Sequence, residues 1–302
     1  MNRLAPLFVI IAAALWGLDG IVFQPVLSNL PVPLVVFIEC WTVAIILSPI
    51  LFKRFSELKK LEKRDWYAFS VVALLGGALG TMAITKALFF VNFVNLSIVI
   101  LIQKLQPVFA LLLATIILKE KLPRIFFVWA VLAVCGAYFM TFGYNTPDFN
   151  TGDKTWIAAA FSLIAAISFS SSTVFSKLAL KNAGFEIGTY LRFLISGIIM
   201  FIITASVGDL SSIGMVSQFQ WGIFLLIAFT TGGAAIFLYY YGLKKITASV
   251  ATICELAFPM TAVVLEYFIH GNILRPVQWF GVAVLILSIL QVSKINMANS
   301  KK

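Results

Sequence analysis

Ten apolar runs, each near the 17–25 residues that an α-helix needs to cross a hydrocarbon core, leave this chain one setting in which it can fold. They cover approximately residues 5–26, 33–52, 66–90, 95–118, 125–143, 155–180, 187–206, 220–242, 249–270 and 276–293. Hydrophobic residues make up 61% of the 302, charged residues 11%, and the mean hydropathy is +1.02. Such a chain cannot satisfy its backbone in lipid except by helices or a closed barrel. The length of the runs selects helices: an all-α integral membrane fold with ten transmembrane helices. Ala12–Ala14 resembles the small-residue end of a signal peptide, but nine further runs make the first a retained helix.

The formal charge of +10 invites a nucleic-acid reading, which the placement of the basic residues opposes. Sixteen Lys and Arg lie in one set of alternating connecting segments, and the other set holds Lys154 and Arg275 alone. That asymmetry places both termini in the cytoplasm, in an inner or plasma membrane. No aromatic-interleaved basic stripe accompanies it, so the lipid bilayer is the expected partner and nucleic acid is not.

Cys40, Cys135 and Cys254 all fall inside apolar runs, where they form neither a disulfide framework nor a metal set. The lone histidine, His270, stands at a run end. No Ser/His/Asp set and no phosphate-cradling glycine loop with its lysine is present. An enzyme is not expected, nor a resident metal or cofactor.

The two halves of the chain repeat each other. Trp16–Gln24 reads WGLDGIVFQ, and 153 residues later Phe169–Lys177 reads FSSSTVFSK. At the same offset Glu39 falls on Arg192; Gly76-Gly77 falls on Gly232-Gly233 at 156, and QKLQP from Gln103 on ELAFP from Glu255 at 152. Residues 1–143 and 155–293 are therefore expected to be two five-helix repeats, with 144–154 an extracytoplasmic linker and 294–302 a cytoplasmic tail. Five is odd, so the second repeat enters the membrane from the opposite side, and the repeats are inverted about an axis in the membrane plane. Substrate sites of such folds lie near the midplane, at interrupted helices.

Pro107 and Pro259 mark those interruptions as structural kinks. Proline offers no N–H to the carbonyl four residues back, so Pro259 is expected to free the carbonyl of Glu255, beside that residue's own carboxylate. An acidic side chain at mid-span costs roughly 2.5–3.5 kcal/mol on insertion scales and seeks a polar cavity or a partner.

Trp16-Gly17, the prolines of the fourth and ninth runs and the sequence LKEKLPRIFFVW from Leu118 together resemble the EamA family of the drug/metabolite transporter superfamily, over about residues 5–293. The resemblance implies ten helices in two inverted five-helix repeats that move small organic solutes by alternating access. Three positions depart from the family pattern: Gln24 where a basic residue closes the first helix, Glu39 where the second helix has Arg, and Asn272 where the repeated Leu-x-Glu-x-Leu element has Glu.

Within this frame the intramembrane charges are Asp19, Glu39, Glu255 and Glu266 against Lys86, Lys104, Lys177 and Arg192. Lys86, Lys177 and Glu266 lie near enough to span ends to reach the headgroups, and Lys104 is expected to anchor a neighbouring carboxylate. Glu39 and Arg192 are read as a gate pair across the pseudo-twofold axis or as a clamp on the two ends of a zwitterion. Glu255 is an ammonium ligand or proton carrier. Asp19 beside Trp16, with Tyr240 of the Tyr239–Tyr241 triplet, forms a box for an amine; the triplet is alternatively an interfacial belt. The expected substrate is a small polar or zwitterionic metabolite, amino-acid-like or amine-bearing, with proton coupling or exchange. The alternatives are export of cationic or amphipathic drug-like compounds and, more remotely, a channel or scaffold.

Overall fold

A computed structural model describes residues 4–90, 97–146, 155–270 and 275–299. Lys154, Asn272 and most of the 144–154 linker lie outside the described residues, as do the side chains of Glu266 and His270.

The described chain is helical, with no strand. Among the described residues, eight helices are long and apolar enough to cross a membrane. They are α1 (Ala5–Leu27), α2 (Val32–Leu58), α3 (Lys63–Phe90), α6 (Arg124–Phe142), α7 (Thr155–Ala179), α8 (Phe185–Val207), α9 (Gln218–Lys245) and α12 (Pro276–Asn299). The fourth and ninth apolar runs are each broken into two short helices, α4 (Ser97–Gln103) with α5 (Gln106–Ile117), and α10 (Ala248–Cys254) with α11 (Ala257–His270).

Each break stands before its proline. Pro107 sits in the first turn of α5, where its missing N–H would have had no helical partner, and Pro259 sits in the first turn of α11. The expectation of a free carbonyl at Glu255 is corrected: the chain turns tightly at the break and the Phe258 N–H donates to that carbonyl at 2.9 Å.

The bundle buries many hydroxyls within its apolar core and leaves large apolar side chains on its outside. Ile45, Ile116, Val131, Ile202 and Phe229 are exposed, whereas Ser162, Ser170, Ser172, Thr173, Ser176 and Thr189 are buried. That arrangement suits a chain whose solvent is lipid. Helix α7 carries more of the buried hydroxyls than any other helix and packs on α3, α4 and α5. Its Ser162, Ser170 and Ser171 donate to carbonyls one turn back, so the hydroxyls need no water.

Helix pairing follows the numerical repeat. Helix α1 packs on α9 and α11, and α7, its counterpart, packs on α3 and α5. The pairs α2–α8 and α6–α12 unite counterparts directly. Between α6 and α12 the approach is closest at Gly136 and Gly281, where a Cβ would meet facing backbone.

Candidate functional site

Among the described residues, irregular backbone interrupts α1, α3, α9 and the two broken spans, and the polar chemistry gathers there. Helix α1 loosens into a π turn at Asp19–Phe23 and then a 3-10 turn at Gln24–Leu27. Helix α3 contains a π turn at Ala73–Leu79, and α9, its counterpart, breaks at Thr230–Gly232. The breaks between α4 and α5 and between α10 and α11 complete the set. Irregular backbone at membrane depth needs partners inside the protein. In α3 they are side chains: Ser196 donates to the Ala73 carbonyl at 3.2 Å, Thr81 to that of Gly76 at 3.1 Å, and Arg192 to Gly76 at 3.4 Å. Gly76 and Gly77 let this happen, because a Cβ at either would overlap the Ser172 or Ser196 side chain.

Two acidic centres result. In the first, the Gln24 side-chain amide donates both to Asp19 Oδ2 at 3.0 Å and to Glu39 Oε1 at 3.1 Å. Asp19 Oδ1 accepts from Thr231 in the α9 break at 2.7 Å. A single buried amide thus bridges two carboxylates from α1 and α2.

The second centre is Glu255. Its Oε1 accepts from the Tyr239 hydroxyl at 2.6 Å and from Thr173 at 3.3 Å, and its Oε2 accepts from Gln106 at 2.7 Å. Those donors come from α9, α7 and α5, so the carboxylate joins helices of both halves. The Tyr239 ring in turn meets Trp16, with centroids 5.3 Å apart. Trp16 and Asp19 belong to one helix, so this aromatic pair links the two centres.

Arg192 lies between other groups than expected. It donates at 3.4 Å to Ser172, to the Tyr240 hydroxyl and to Gly76, and its guanidinium stands 5.9 Å from the Tyr240 ring centroid. Among the described residues the ion pairs are Arg54–Glu57 and Arg54–Glu186, so Glu39 and Arg192 are not ion-paired in this structure. The interfacial-belt alternative for the tyrosine triplet is also corrected: Tyr239 and Tyr240 are buried, and Tyr240 shares a 2.8 Å hydrogen bond with Ser176.

The remaining cations separate. Lys86 is exposed beside the Phe161 ring. Lys177 does not reach for headgroups but donates to the carbonyls of Leu243 and Lys244 at 2.9 and 3.0 Å, capping the end of α9. Lys104 anchors no carboxylate; it is buried and its ammonium has no hydrogen-bond partner.

Sequence reasoning missed Gln106, Thr173, Thr231 and Tyr239 as ligands of the acidic groups. Gln106 had a signal, being a polar residue adjoining the fourth-run proline. Within the LKEKL stretch, the Glu120 carboxylate accepts from the N–H groups of Ala248 and Ser249 at 2.8 and 3.1 Å and from the Ser249 hydroxyl. It caps α10 at the N-terminal, positive end of that helix. Among the described residues no three His, Cys, Asp or Glu side chains gather as metal ligands.

Comparison with known proteins agrees over the whole length. The profile of the EamA-like transporter family matches twice, at residues 3–142 and 156–294. The riboflavin transporter ImpX of Fusobacterium nucleatum is 48% identical over 292 residues, 96% of this chain and 97% of that protein. The uncharacterized transporter YwfM of Bacillus subtilis is 29% identical, covering 95% and 93%. A crystal structure of a protein 13% identical superposes with a TM-score of 0.71 over 98% of this chain and 96% of that one, a likeness of fold.

Proposed function

This chain belongs to the EamA-like transporter family, and from that premise we propose that it carries riboflavin across the membrane. The observation that carries the proposal is 48% identity with a riboflavin transporter over 96% of this chain and 97% of that protein.

The site chemistry supports it. Riboflavin is an uncharged planar tricycle with a polyol tail. Trp16 and Tyr239 offer aromatic surface of the kind that takes a planar ring. The carboxylates of Asp19, Glu39 and Glu255 are acceptors suited to hydroxyl and imide N–H donors. Glu39, Arg192, Glu255, Asp19, Trp16 and Tyr240 are the residues we assign to binding or gating.

Two inverted five-helix repeats, 1–143 and 155–293, with ten crossings and cytoplasmic termini, are the architecture we assign. In its support, the family profile matches twice and helix pairing is preserved when the halves are exchanged. Alternating access then consists of one half rocking against the other around the broken spans. Glu255 is the proton-coupling group in this reading: its Oε2 accepts a single hydrogen bond, from Gln106, and keeps a lone pair that can take a proton.

A second reading keeps the amine-bearing metabolite, and one observation favours it: Asp19 and Glu39 share a single amide donor and so retain free acceptor capacity for an ammonium. Titration in detergent separates the two. Riboflavin is expected to show saturable quenching of its fluorescence, uncompeted by amino acids or polyamines. Thermal stabilisation by amines with no flavin quenching would sink the riboflavin reading.

A further inference from the structure

Among the described residues, two buried side-chain polar atoms lack any hydrogen-bond partner, the Lys104 ammonium and the Thr252 hydroxyl. They are 4% and 1% exposed. Neither position is incidental. Lys104 stands in the break between α4 and α5, and Thr252 lies on α10 one turn before the break between α10 and α11. The 2.7 Å hydrogen bond from Gln106 to Glu255 ties those two breaks together, two residues after Lys104 and three after Thr252.

The neighbours of Lys104 in sequence are all engaged. Gln103 donates to the Ser162 carbonyl at 2.9 Å, and the Gln106 carbonyl accepts from Ser170 at 2.8 Å. The break is thus pinned on both sides to α7, and the one polar group left over is the cation. A buried ionisable group with nothing to pair with is a net cost in this conformation. Within a membrane such a group marks a ligand path more often than a packing role. In this conformation no described group of the chain supplies the acceptor it lacks.

We propose that Lys104 is a specificity-determining residue that donates to a carbonyl oxygen of the substrate ring. This rests on the flavin reading and deepens it. The carboxylates of Asp19, Glu39 and Glu255 supply acceptors, and they match the donor groups of riboflavin, its hydroxyls and imide N–H. They cannot bind the two carbonyl oxygens of the pyrimidinedione edge, which need a donor. Lys104 is the buried donor with full capacity free. Thr252, able to donate or accept, stands on the other broken span as a second contact for the same edge.

The assignment makes two effects of Lys104→Met move in opposite directions. Replacing an unpaired buried cation by an apolar side chain of similar length stabilises the substrate-free protein, whereas replacing a structural anchor destabilises it. The experiment compares wild type, Lys104→Met and Lys104→Gln in detergent, by thermal unfolding without ligand and by fluorescence titration with riboflavin and with lumichrome, which keeps the dione edge and lacks the polyol. The expected result for Lys104→Met is a higher melting temperature and a Kd raised about tenfold or more, roughly 1.4 kcal/mol, for both ligands alike. Lys104→Gln, which keeps an uncharged donor, falls between it and wild type. Wild-type affinity in Lys104→Met to within about twofold, or a lowered melting temperature without ligand, overturns the assignment of Lys104 alone. Absence of saturable quenching in the wild type overturns the flavin reading, and this proposal with it.

Discussion

The Tyr239 hydroxyl donates to Glu255 Oε1 at 2.6 Å, across the boundary between α9 and the broken span that follows it. Both residues are buried, and the same tyrosine ring lies against Trp16 of α1. The pair therefore couples the position of α1 to the break between α10 and α11.

Removing the hydroxyl alone, as in Tyr239→Phe, keeps the ring contact and leaves Glu255 with two donors instead of three. A hydrogen bond contributes about 0.5–1.5 kcal/mol net, so the variant is expected to unfold at lower temperature. Glu255→Leu removes the acceptor of the same bond, and the double variant should cost about 1 kcal/mol less than the sum of the singles. Thermal unfolding of the four proteins measures that coupling. Strict additivity would mean that the two groups do not act on each other.

Gln24 is the more delicate joint, because one amide serves two carboxylates. Gln24→Leu strips Asp19 and Glu39 of their shared donor and leaves two buried acidic groups facing each other without it, so a lower melting temperature and weakened transport are expected. Gln24→Lys places a cation between them. It is expected to raise thermal stability while slowing transport, since a pair of ion contacts at this point ties α1 to α2 through the cycle. Proteoliposome flux measured beside the melting temperature checks both halves; faster flux in Gln24→Lys would contradict the bridging role.

Much of this architecture can be read from the residues because the membrane removes alternatives. Apolar run lengths locate the helices, and Pro107 and Pro259 locate the two broken spans, since proline cannot continue a hydrogen-bonded turn. The acidic residues Asp19, Glu39 and Glu255 stand out for the same reason: charge is scarce at mid-span. What could not be read is partnership. Gln24 looked like a lost cation, yet it is the donor that permits two carboxylates in one place. Glu39 and Arg192 match at one offset in sequence but take separate partners, because the π turn in α3 exposes carbonyls that draw Arg192 away. Tyr239 and Tyr240 are adjacent in sequence and point to different neighbours, Glu255 and Ser176. Such choices depend on distances between helices that run length and composition do not encode.

Glu120 reaches from the segment after α5 to the first N–H groups of α10, and Lys177 on α7 holds the last carbonyls of α9. The residues between, Ile246 and Thr247, are thus bracketed by an acid at a helix N-terminus and a base at a helix C-terminus, each matched to the local dipole. Loss of a capping side chain costs typically about 1 kcal/mol. Glu120→Ala should therefore lower the melting temperature and speed hydrogen exchange at the amides of Ala248 and Ser249, with little change at Phe224 in the middle of the first part of α9. Glu120→Gln, which keeps an acceptor, should show the smaller effect. Equal exchange in all three proteins would show that α10 does not depend on this cap.

A close contact of backbone against backbone predicts a severe variant. Helices α6 and α12 meet through Gly136 and Gly281, and a Cβ on Gly281 would fall 2.7 Å from the Gly136 carbonyl oxygen and onto the Met140 backbone nitrogen. Backbone cannot move aside as a flexible side chain can, so the two helices must separate to admit a methyl group. In lipid, where helices associate by close packing rather than by hydrophobic burial, that separation loses contacts along the whole seam. Gly281→Ala is expected to lower thermal stability clearly and Gly281→Leu to prevent recovery of folded protein, while Gly222→Ala, with open space around its Cβ, should behave as wild type. Size-exclusion recovery and melting temperature of the three variants decide the matter. Normal folding of Gly281→Leu would mean that α6 and α12 are held together by something other than this contact.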